Sequence, residues 1–173
     1  MKKLTPKEER HSKLLKYGIP QQFLNNIGEI DELDYSLQKP EGAYFYFPTM
    51  TEYTIFTDVE VTPIFDCGET FYALFEKNNG SEIVKFELEN DEIYTQYGLN
   101  WNLLILDVMW DYFDFAIEED DSLKLFCAVG GKLGFPYSEK LYELLDITGE
   151  EISIKMQDRK KWKKDVAKSL NII

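Results

Sequence analysis

From Phe71 to Leu88 large apolar residues recur at every second position on both sides of one turn signal, Asn79-Gly80. Successive side chains of a strand point to opposite faces, and an Asn-Gly pair suits a type I′ hairpin turn, whose central residues both need φ > 0. With that pair at the tip, Lys77 faces Glu82, Phe75 faces Val84, Ala73 faces Phe86 and Phe71 faces Leu88. Phe71, Ala73, Phe75, Val84, Phe86 and Leu88 then share one face, while Tyr72, Leu74, Glu76, Ile83, Lys85 and Glu87 make a mixed, partly charged one. A slip of one residue would turn the apolar set toward water. A third strand, Val59 to Phe65, is predicted to join through Asp66-Cys67-Gly68. The result is a one-faced antiparallel sheet that needs a cover. Nothing in it is chemically reactive.

The rest of the chain supplies helices at both ends. Thr5-Pro6-Lys7-Glu8 reads as a capping box with Pro at the first helical position, and Gly18 as the matching stop. A short helix from Pro20 buries Phe23, Leu24 and Ile27, and Gly28 ends it. Glu29 to Pro40 reads as an acidic, irregular loop. Tyr44-Phe45-Tyr46-Phe47 and Tyr53 to Thr57 read as strands, being rich in aromatic and β-branched residues. Asp91 to Tyr97 is a connector or short edge strand.

Trp101 to about Glu118 is predicted as a long helix, apolar on most of its circumference, and is the natural cover for the sheet's apolar face. Its polar residues Asp107, Asp111, Asp114 and Glu118 form one narrow stripe. Ser122 to Leu133, Pro136 to Leu145 and the tail from Glu151 are further helices, with Trp162, Val166 and Leu170 spaced to dock the last one. The expected fold class is α+β. An antiparallel sheet of five to six strands is covered on one face by helices, in a single domain spanning 1–173.

Charge is unevenly spread. Residues 17–154 hold six Lys/Arg against twenty-eight Asp/Glu, a net of −22, while residues 1–16 carry +4 and residues 155–173 carry +5. Such a body repels nucleic acid and anionic membrane and attracts a basic protein; simple solvation of the surface is the competing reading. Arg159-Lys160-Lys161-Trp162-Lys163-Lys164 is read as a basic helix held against the acidic body rather than a nucleic-acid site. No run is long enough to span a bilayer. Met1-Lys2-Lys3-Leu4 gives way to charged residues where a signal peptide needs its apolar core, so export by that route is not expected.

The usual reactive constellations are missing. One histidine, His11, and two distant cysteines, Cys67 and Cys127, leave no zinc cluster, disulfide framework or assembled nucleophile–base pair. Gly130-Gly131-Lys132-Leu133-Gly134 lacks the spacing of a phosphate loop. Carboxylate pairs such as Asp66/Glu69 and Asp111/Asp114 are of the kind that serves glycoside hydrolysis or oxygen-ligated cations, but with thirty-two acids chance pairs are expected. Neither a catalytic residue nor a cofactor or metal is therefore assigned.

Two segments resemble a known family. Gly18-Ile19-Pro20-Gln21-Gln22-Phe23 is similar to the opening of the SUKH superfamily, and the run Val61 to Leu74, with Pro63 and the acidic turn Asp66-Cys67-Gly68-Glu69, resembles its central hairpin. The likeness spans about residues 17–118, leaving 119–173 as a helical extension; Asn26-Ile27-Gly28 departs from the family's Asn-Gly pair. The resemblance implies an α+β domain that binds proteins and catalyses nothing; the two distant cysteines point separately to a reducing cytoplasm. The implied function is that of an immunity protein neutralising a cognate, basic, possibly nuclease toxin. A regulator of cell-surface synthesis and, further off, a carboxylate-dependent hydrolase are the alternatives. From charge alone, Asp58, Glu60, Asp66, Glu69, Asp107, Asp111 and Asp114 are the candidate partner contacts. An edge strand at Tyr44–Phe47 offers a route to a homodimer.

Overall fold

The computed structural model describes residues 3–50, 52–116 and 121–173, with the Phe115 side chain excluded; Glu118 of the acidic stripe lies outside these residues. The chain has an α+β fold and divides into two compact units, Met1–Trp101 and Asn102–Ile173. Among the described residues no helix is long and apolar enough to cross a membrane.

The first unit is built on a five-stranded sheet in sequence order: β1 (Lys3–Leu4), β2 (Glu60–Cys67), β3 (Thr70–Lys77), β4 (Gly80–Glu87) and β5 (Ile93–Gly98). β1, which the sequence reading missed, runs parallel to β2; the other pairings are antiparallel. The hairpin register differs from the expected one by two residues: Phe71 faces Phe86, Ala73 faces Val84 and Lys77 faces Gly80. The tip is therefore Asn78-Asn79, and neither residue has positive φ. Because the slip is two residues, every side chain keeps its face.

That apolar face is covered locally. Val61, Phe71, Ala73, Phe75, Val84 and Phe86 form one cluster with Ala43, Phe47, Met50, Phe56 and Val59. Within the first unit the cover comes from residues 43–59, a segment to which the sequence reading did not assign it. Nor is Tyr44–Phe47 a strand: it lies across the end of helix α3 (Glu41–Tyr46), preceded by Pro40. Alternation would bury Phe45 alongside Phe47, yet Phe45 is 72% exposed and Phe47 fully buried. Ala43, Tyr46, Phe47 and Met50 follow helical i, i+3, i+4, i+7 spacing instead. An edge strand for pairing with a second copy is accordingly not available there.

Residues 54–56 form a 3₁₀ turn where a strand was expected. Its start is held by Asp91, whose carboxylate accepts the amides of Thr54 at 2.6 Å and Ile55 at 3.0 Å. Those bonds draw the Asp91 carboxyl below its ordinary pKa.

The second sheet face is also buried, contrary to a one-faced sheet: Leu74 and Ile83 are fully buried, and Phe65 stacks on Tyr72 at 4.1 Å. A bulge between Pro63 and Phe65 carries Phe65 to this face, where Phe23 meets it edge-on. Helix α1 (Lys7–Lys16) and helix α2 (Gln21–Asn26) accompany β2. The expected capping box is not formed. Thr5 turns its hydroxyl to Thr62 at 2.7 Å, and Arg10 donates to the carbonyls of Pro63 and Ile64.

The second unit contains the remainder of α4 (Trp101–Ala116), α5 (Ser122–Leu133), α6 (Ser138–Leu145), α7 (Gly149–Met156) and α8 (Arg159–Ser169). Phe113, Phe126 and Tyr142 form an edge-to-face aromatic triangle joining α4, α5 and α6. Gly130 lets α5 approach α6: a Cβ there would lie 1.8 Å from the Ser138 hydroxyl. Trp162 sets α8 edge-on against Trp110, and Val166 and Leu170 are buried beside it as their spacing predicts. A complete capping box, Thr148 with Glu151, begins α7.

Candidate functional site

The seven candidate acids do not form one surface. Asp58 is exposed just before β2, and Glu60 is half-buried at that strand's start. Glu60 is already paired, with Lys13 at 2.6 Å and Lys3 at 3.2 Å. The Lys13 hydrogen bond draws its carboxyl below the ordinary value. Lys13 also pairs with Glu76, so this end of the sheet is an internal charge network.

The acidic stripe of the second unit is likewise partly used. Asp107 is buried and paired with Lys163 at 2.5 Å, and Asp111 lies 3.5 Å from Arg159. Lys163 also lies over the Trp110 ring. Within this unit the basic helix is held against acidic α4, as the charge pattern implied. Asp114 remains exposed.

Asp66 and Glu69 lie at the other end of β2. Glu69 is exposed in the two-residue turn it forms with Gly68, whose φ of 58° suits the first central position. Asp66 is not the exposed turn acid expected from sequence: it is a strand residue only 3% exposed. The bulge explains this. It returns Asp66, opposite Phe71, to the face that α3 covers.

There Asp66 Oδ2 accepts the amide of Ala43 at 3.1 Å, while the buried Oδ1 has no hydrogen-bond partner. Burial pushes the carboxyl up to about 6, against the opposing pull of the Ala43 and Gly42 amides and the Arg10 guanidinium, with Glu41 adding to the rise. On the backbone, Asp66 and Gln38 exchange amide–carbonyl bonds at 2.9 and 3.0 Å, which fastens the 29–40 segment to β2.

These attachments shape an open groove of about 440 Å³ whose walls include Asp31, Asp34, Gln38, Glu41, Gly42 and Asp66. Asp31 and Asp34 are exposed and form no ion pair among the described residues. Glu41 is paired with Lys7, and Lys39, also on the wall, with Glu29, each at 2.5 Å. Across residues 39–41 lies a smaller groove of about 230 Å³ that includes Lys7, Arg10 and Tyr44. The Tyr44 hydroxyl is buried without a partner, and burial pushes it up to about 12.

Sequence reasoning missed Asp31, Asp34, Gln38 and Gly42. Their only signal was the acidic density of a segment read as a loop. Among the described residues no three His, Cys, Asp or Glu side chains are placed to hold a metal ion. The groove presents carboxylates and backbone without a nucleophile–base pair; its chemistry is that of accepting a cation. Compared with protein-family models, curated proteins and solved structures, the chain matches none.

Proposed function

We propose that this chain is a non-enzymatic protein-binding domain, and specifically an immunity protein that neutralises a basic cognate toxin by direct contact. The observation that carries the reading is the acidic groove whose walls include exposed Asp31 and Asp34 together with Glu41 and Asp66. A net charge of −22 across residues 17–154 adds long-range attraction for a basic partner. The segments resembling the SUKH superfamily point the same way.

Low-salt capture with the purified protein, against the toxin encoded beside its gene, tests the proposal. A stoichiometric complex that weakens with salt supports it. Failure to retain that toxin at low salt counts against it.

A further inference from the structure

We infer that the groove between α7 and α8 is a docking site for an acidic amphipathic helix of a partner protein. The site belongs to the second unit and shares no residue with the acidic groove, so the inference goes beyond the toxin-binding reading. Leu144, Ile154, Lys155, Lys161, Trp162 and Val166 line an open groove of about 490 Å³. Its apolar surface is left in water. Helix α7 buries none of its eight residues. Ile154 is 62% exposed although it stands on the groove wall, and Met156 is 47% exposed. So short a helix gains little from its own backbone and is fixed by what packs on it. Apolar side chains of a partner laid against Ile154 and the edge of Trp162 supply the burial that α7 lacks.

Charge selects the occupant. Arg159 and Lys163 are spent on Asp111 and Asp107. Lys160, Lys161, Lys164 and Lys168 are exposed and form no ion pair among the described residues. At about 100° per residue these four share one arc of about 100°, about 12 Å long, that meets the groove at Lys161. Two acids also stand on the wall. Asp158 is committed to capping α8, where it accepts the Lys161 amide at 3.0 Å, and Asp165 flanks the arc beyond Lys161.

A partner therefore meets apolar surface on one side and four unpaired lysines on the other. A third helix laid between two fills such a groove, with large apolar residues at i, i+3, i+4 and i+7 and Asp or Glu along one border. A nucleic-acid backbone would use the lysines and leave Ile154 in water, and an anionic bilayer would have to admit a chain of net charge −13.

The test pans a phage-displayed random peptide library against the immobilised full chain. Enriched peptides are then synthesised and titrated back by calorimetry, with amide shifts read at Ile154, Lys161 and Val166. The enriched sequences are expected to combine large apolar residues at helical spacing with Asp or Glu, and to move those amides. Ile154→Glu and K161E/K164E, on exposed positions and checked for fold by circular dichroism, should each weaken binding at least about tenfold. Asp165→Asn, which removes a like charge from the wall, should tighten it.

No enrichment, basic sequences, or peptides indifferent to both variants overturn the inference. So does retention of phosphatidylserine vesicles or single-stranded DNA through Lys161 and Lys164 with no peptide enriched. Toxin capture is expected to be the same for wild type and Ile154→Glu. Peptide docking without toxin capture removes the earlier reading and leaves this one, and toxin capture without peptide docking does the reverse.

Discussion

Asp66 accepts the Ala43 amide through Oδ2 at 3.1 Å, and that bond ties helix α3 to the bulged end of β2. The same contact buries a carboxyl with one unsatisfied oxygen. Its ionisation therefore couples to stability.

The stability consequence has a definite sign. The folded-state pKa of Asp66 is about 6, above its ordinary 3.8, so the native state holds the proton more tightly than the unfolded chain. Its contribution is present in full below the unfolded value and is lost as pH rises through the folded one. Urea unfolding of wild type and D66N from pH 4 to pH 7 should show the difference between them moving in favour of D66N by on the order of 2 kcal/mol. A constant difference across that range contradicts the assignment.

Gly42→Ala should act on the same contact from the other side. Its Cβ would sit 3.0 Å from Asp66 Oδ2, which forces the carboxylate or the start of α3 to move. A loss of about 1–2 kcal/mol in denaturant unfolding is expected, together with weaker binding of any groove ligand.

Gly130→Ala should be more damaging. The Ser138 hydroxyl lies 1.8 Å from the new Cβ and the Ser138 Cβ lies 2.9 Å away, so α5 and α6 must separate. Destabilisation of roughly 3 kcal/mol is expected from overpacking of this order. Adding Ser138→Gly should recover a good part of it, measured by thermal unfolding of the single and double variants.

The pair Lys163–Asp107 should matter more than the other lysines of α8. Asp107 is buried, so Lys163→Met removes the ion pair of a buried carboxylate, a loss of about 2–3 kcal/mol. Lys160→Met and Lys164→Met, on exposed positions, should change stability by under ~0.5 kcal/mol. A double-mutant cycle with Asp107→Asn isolates the pair.

Asp91→Ala should loosen the 3₁₀ turn at 54–56, since its carboxylate receives both the Thr54 and Ile55 amides. Hydrogen exchange at those two amides reads the effect directly.

Much of this fold was legible because its signals are local. Alternation placed Phe71, Ala73, Phe75, Val84 and Phe86 on one face, and helical spacing placed Trp162, Val166 and Leu170 on another. The misreadings came where a distant residue decides the local form. Aromatic content favoured strands at Tyr44–Phe47 and Tyr53–Thr57, but Asp66 receives an α3 amide and Asp91 caps the 3₁₀ turn.

The Asn79-Gly80 signal identified the hairpin but not its tip, because a two-residue slip keeps the faces and lets Phe71 meet Phe86 directly. Of the candidate site, the sequence pointed to Asp66 and Glu69. It could not show that a bulge turns Asp66 inward, nor that Gln38 carries Asp31 and Asp34 to the same wall.

The most direct test of the account is calorimetric titration of the proposed cognate toxin into wild type and into D31N/D34N, both first shown to be folded. Wild type should bind with an affinity that falls as salt rises, and the double variant at least about tenfold more weakly. Equal affinity for the two proteins, or no heat of binding to wild type at low salt, would contradict an acidic groove that grips a basic partner.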